Sequence, residues 1–183
     1  MKKLMMGGVL ALAAVALTVT VATAHNGKNG RHVAAHLDGY QEVPAISTEG
    51  RGKFKIKVSG DSAEYKLRYS DLSSPVKFAH VHFGREGTNG GVIAFLCGGG
   101  GKPACPASGE VTGTIVPADV VGPADQGIAA GEFDEFVRAL KAEAVYANVH
   151  TDNFGNGEIR GQVDGHGHHG FGHGGKRGDK DRD

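Results

Sequence analysis

The chain has no tryptophan, only two cysteines and six prolines, and no excess of either charge, with 20 lysines and arginines against 20 acids in 183 residues. Without net charge there is no global field to draw it onto nucleic acid or an anionic membrane. With no tryptophan, eight phenylalanines and 31 glycines, the core is expected to be built of strands and turns rather than helices. Common catalytic signatures are missing too. There is no nucleophile–base pair and no pair of carboxylates at a defined spacing. The run Gly98–Gly101 lacks the lysine–serine ending and the strand-to-helix setting of a phosphate loop.

What is present begins with MKKLMMGGVLALAAVALTVTVATA, two lysines followed by an uncharged apolar stretch and Ala22-Thr23-Ala24. That is the layout of a secretory signal, with cleavage expected after Ala24 and a retained anchor as the alternative. Removing residues 1–24 leaves 18 basic against 20 acidic residues, a net charge of −2. No membrane association is expected after cleavage. Cys97 and Cys105 enclose GGGGKPA. In an exported chain they read first as one disulfide pinning a glycine-rich loop, and second as a thiolate metal pair.

Residues 25–31 form a polar lead-in. From Val33 onward, short alternating segments follow one another. GRGKFKIKVSG sets Phe54, Ile56 and Val58 on one face and Lys53, Lys55 and Lys57 on the other, the pattern of a half-buried antiparallel strand. AEYKLRYSDL returns from it as a hairpin. The segments FAHVHFG, VIAFLC, GEVTGTIV, YANVHTD and GEIRGQV complete about eight strands. One stretch, AGEFDEFVRALKAEA, places Phe133, Phe136, Val137 and Leu140 at helical spacing. The expected fold is an all-β Greek-key sandwich with one short helix, spanning 32–163. Residues 164–183, glycine- and histidine-rich with almost no apolar content, are expected to be disordered.

The ten histidines sort by position. In FAHVHFG, alternation along a strand puts Phe78, His80 and His82 on one side, so two imidazoles can reach the same atom. His150 in YANVHTD lies opposite in parity to Val145, Ala147 and Val149, and supplies a third ring from a second strand. Imidazole suits copper and zinc, so these three are the candidate ligands, copper before zinc, with His36 or a water as the fourth. Glu42 and Asp152 are candidates to fix an imidazole tautomer. His166, His168, His169 and His173 form a tail able to collect metal by ligand density, or simply a solubilising tail. His25 becomes the N-terminus after cleavage, where amine and imidazole together can chelate copper, but NGKNG offers no rigid pocket for that; His32 flanks the first strand on the parity opposite to Val33, Ala35 and Leu37.

Three motifs in order, LDGYQEVP (37–44), FAHVHFG…NGGV (78–92) and YANVHTDNFGNGEIRGQV (146–163), resemble the CHRD domain. This module is named after the chordin family and occurs singly in exported microbial proteins. The resemblance implies an extracellular β-sandwich without a settled biochemical role. More weakly, HVHFG and NVHT are similar to copper-ligand strands of the copper-zinc superoxide dismutases. No histidine lies between Phe83 and Val149, however, so the bridging and zinc ligands of that family have no counterpart. Arg160 could mimic an anion-guiding arginine, but is expected to be a surface residue. Three functions follow as expectations: a copper-binding module, a structural or adhesive module for an exported or envelope protein partner, and a copper-only dismutase-like enzyme.

Overall fold

Alternation of apolar and polar residues commits most of this chain to strands, and in the computed structural model eight of them join into one antiparallel sheet. The structure describes residues 31–107 and 109–165. The leader 1–24, His25 and the tail histidines His166, His168, His169 and His173 lie outside the described residues. The strands are β1 (Arg31–Asp38), β2 (Arg51–Ser59), β3 (Ser62–Ser70), β4 (Val76–Phe83), β5 (Val92–Cys97), β6 (Gly109–Ile115), β7 (Val145–Thr151) and β8 (Ile159–Gln162). One α-helix, α1 (Phe133–Lys141), lies between β6 and β7. Its buried Phe133, Phe136, Ala139 and Leu140 make the expected stripe a core face. Asp134 and Glu135 stand in its first turn and Arg138 and Lys141 in its last, as the helix dipole favours.

The spatial order is β5-β4-β7-β8-β1-β2-β3-β6. The sheet curls so that its two edge strands, β5 and β6, come into contact. β7 therefore returns beside β4 while β4, β5 and β6 run as neighbours, which is the Greek-key arrangement. The Tyr65 hydroxyl on β3 donates to the Leu96 carbonyl on β5 at 2.7 Å, tying one half of the curled sheet to the other across the core. The protein is an all-β sandwich, as the alternation predicts.

Inward residues meet in one core: Val33, Ala35 and Leu37 from β1, Phe54 and Ile56 from β2, Leu67 from β3, Val81 from β4, and Val145, Ala147 and Val149 from β7. Cys97 and Cys105 are bonded as a disulfide, which settles the choice against a thiolate metal pair. It ties the end of β5 to the loop that leads into β6. Among the described residues no helix is long and apolar enough to cross a membrane.

The two halves of the sheet differ in what covers their outer faces. On β1, β2 and β3 the outward residues reach solvent, as alternation requires. Every residue of β7, by contrast, is buried, and so are Ala79 to His82 on β4. Loops fold back over this outer face. Glu158, fully buried, fastens them: its carboxylate accepts from the Thr48, Ser73 and Thr151 hydroxyls and from the Ser73 amide at 2.7–2.8 Å. Burial alone would raise its pKa, but these donors outweigh it and hold the carboxyl below its usual range.

Candidate metal centre

The register of β4 against β7 decides which side chains meet under those loops. Phe78 stands opposite His150, His80 opposite Asn148, and His82 opposite Tyr146. His150 is thus the diagonal neighbour of His80, within side-chain reach across an antiparallel pair. The three imidazoles converge. One nitrogen from each of His80, His82 and His150 lies within 4.8 Å of the others, and all three residues are buried, 6–8 % exposed.

Hydrogen bonding fixes the protons on two of the rings. His82 Nδ1 is 3.0 Å from the Gly90 carbonyl and His150 Nδ1 is 3.1 Å from the Gly155 carbonyl. A carbonyl only accepts, so each Nδ1 carries the hydrogen and each Nε2 presents a lone pair. His150 Nε2 lies 3.1 Å from His80 Nδ1. Without a cation, His80 must donate there, which leaves its own Nε2 bare. The Nε2 atoms of His80 and His82 are both buried with no hydrogen-bond partner.

Burial and the neighbouring imidazoles push the His80 pKa down to about 3. Burial also lowers His82 to about 4, against the Gly90 bond that favours its protonated form. His150 is lowered by the same desolvation. At neutral pH all three are neutral, the state in which imidazole binds metal. Nitrogens bonded at about 2.0 Å to a tetrahedral ion stand about 3.3 Å apart. The His80 Nδ1–His150 Nε2 edge already has that length, so His80 would turn Nδ1 to an ion and move its proton to Nε2, and the widest edge of the cluster closes with a side-chain movement of about 1.5 Å. The donor set fits a transition metal.

The surroundings of the rings are largely aromatic. Phe95 meets His80 edge-on at 4.5 Å between centroids, and Phe78 stacks on it at 5.4 Å. Tyr146 stacks on His82 at 4.7 Å with 5° between planes. Arg160 lies on the other side of Tyr146, its guanidinium carbon 3.5 Å from the ring centroid. The guanidinium also donates to the carbonyls of Arg85 and Thr88, at 3.1 and 2.7 Å, and to the Asn89 side chain. It therefore holds the loop that ends at Gly90, whose carbonyl orients His82.

Several expectations are corrected. Arg160 is 2 % exposed, not a surface residue: its strand lies under the loop it binds. His36 does not join the cluster. It is exposed on β1 opposite Lys53, on the half of the sheet away from β4 and β7. Neither candidate carboxylate orients an imidazole. Asp152 is paired with Lys77 at 3.7 Å, and Glu42 accepts from Asn148 Nδ2 at 2.9 and 3.1 Å. Burial raises the Glu42 pKa to about 7, against the nearby Arg160 charge and the Asn148 bond. Two backbone carbonyls do the orienting instead. They have no side-chain signature, though the glycine-rich turns following both histidine strands are where such carbonyls come free.

A curled Greek-key sandwich with three imidazoles buried beneath its loops defines a small β-domain able to hold a metal ion. Residues 33–163 match the CHRD domain model, and the chain belongs to the CHRD domain family. No curated protein and no solved structure matches it.

Proposed function

We propose that this protein is an exported metal-binding module that holds one copper ion through His80, His82 and His150. The observation that carries this reading is the convergence of three buried imidazoles, one nitrogen from each within 4.8 Å of the others, with the His82 Nε2 lone pair left without a donor. A buried acceptor without a donor is costly, and a cation at that point satisfies it. Copper is preferred over zinc because divalent copper binds a given nitrogen site more tightly. Export is supported by the signal-like first 24 residues and by the disulfide. The reading is one of binding rather than turnover, because both free Nε2 atoms are shut off from solvent.

A second reading rests on the same carbonyl bonds: the imidazoles serve only to fasten the loops that end at Gly90 and Gly155. Titration with Cu(I) and Cu(II) separates the two, using protein in which His166, His168, His169 and His173 are alanine so that the tail does not contribute. The metal reading predicts one tight equivalent, lost in the H80A/H82A/H150A variant. Equal affinity in that variant overturns it.

A further inference from the structure

Away from the histidines, the outward face of β1, β2, β3 and β6 carries charge that the fold does not need. Six cations, Arg51, Lys53, Lys55, Lys57, Lys66 and Arg68, share this face with three acids, Asp38, Glu64 and Glu110. Arg51 pairs with Asp71, and Lys66 and Arg68 share Glu110. Among the described residues, Lys53, Lys55 and Lys57 form no ion pair, although Lys57 stands directly opposite Glu64. Two like-charge pairs stand directly opposite each other, Lys53 with Arg68 and Lys55 with Lys66, an arrangement that destabilises a sheet. Edge protection does not account for these lysines, because β2 is paired on both sides, with β1 and β3. Nor does overall charge, because the whole chain is balanced.

The three lysines stand about 7 Å apart along the strand. At their Lys53 end a groove of about 660 Å³ runs over the face, lined by Arg51, Lys53, Arg68, His36, Ser70 and Glu110 among others. Thr112 and Thr114 face the same side from β6. The only rings the strands turn outward here are the imidazoles of His32 and His36, and no large aliphatic side chain shares the face. There is thus no phenylalanine, tyrosine or tryptophan platform for stacking nucleic-acid bases and no apolar wedge for a bilayer. Ammonium groups in a row beside hydroxyls are the chemistry that meets a chain of sugars carrying carboxylates or sulfates.

We propose that this face is a docking surface for a linear anionic polysaccharide, independent of any metal at the histidine cluster. Electrophoresis of the full chain through gels containing polygalacturonate, dextran sulfate or neutral dextran, with chelator present, tests it. Both anionic polymers should retard the protein in a salt-sensitive way and dextran should not. K53Q/K55Q/K57Q should weaken retardation about tenfold or more, while its unfolding midpoint stays at or above that of the unaltered protein. Absence of retardation, unchanged retardation in the triple variant, or equally firm binding of oligothymidylate would overturn the proposal.

Discussion

At the scale of single residues, the protonation of His80 and His82 governs both stability and metal capture. In the unfolded chain these rings take up protons near pH 6.5, but in the fold their pKa values lie near 3 and 4. The unfolded state therefore binds more protons as pH falls. The metal-free protein should keep its full stability above about pH 6.5 and lose it progressively as pH drops toward the folded values. Urea midpoints between pH 7 and about pH 5, above the main carboxylate range, should fall in the unaltered protein and fall much less in H80N/H82N. An equal slope in the two proteins would contradict the assignment. The same depressed pKa values mean that protons compete poorly for the ligands. Copper affinity should stay nearly level down to about pH 5, where an exposed histidine cluster would already have weakened.

At the scale of elements, the site depends on the loop 84–91 and the strand beneath it. Arg160 makes three hydrogen bonds to that loop and lies over Tyr146, which in turn stacks on His82. Replacing it with methionine leaves the carbonyls of Arg85 and Thr88 without their donor, and should cost about 1–3 kcal/mol in chemical denaturation. Copper affinity should fall about tenfold with the ligands untouched. Arg160→Lys should recover little of either, because an ammonium cannot supply the planar fork. Full recovery by lysine would mean that only the charge matters.

The same region shows what could be read from the sequence. Strict alternation in FAHVHFG and YANVHTD placed His80, His82 and His150 on one outer face, and the structure brings them together. Alternation also suggested that an outer face meets solvent, and this failed for Arg160. A strand covered on both sides gives no periodic sign of its cover, which comes from the distant segments around Glu42, Thr88 and Gly155. The tautomers were equally hidden, because backbone carbonyls set them.

On the scale of the molecule, the fold depends on keeping a curled sheet closed where β5 and β6 meet without continuous ladder pairing. Three features hold this seam: the Tyr65–Leu96 bond, the Cys97–Cys105 disulfide, and Lys102, which donates to the Thr114 carbonyl at 2.9 Å and pairs with Asp119 at 3.0 Å. The disulfide closes a short loop, so C97S/C105S should lose about 2–3 kcal/mol of stability. The β4–β7 register lies on the far side of β4 from that seam, so the histidine cluster should persist in the variant. A loss of copper binding in folded C97S/C105S would show that the seam and the site are coupled.

The most direct test of the central claim is X-ray absorption of the copper-loaded protein in the variant lacking the four tail histidines. Three imidazole nitrogens at about 2.0 Å around each copper, reduced to a different and weaker environment by His150→Ala, is the predicted result. A spectrum with fewer imidazoles, unchanged when His80, His82 and His150 are all alanine, would contradict it.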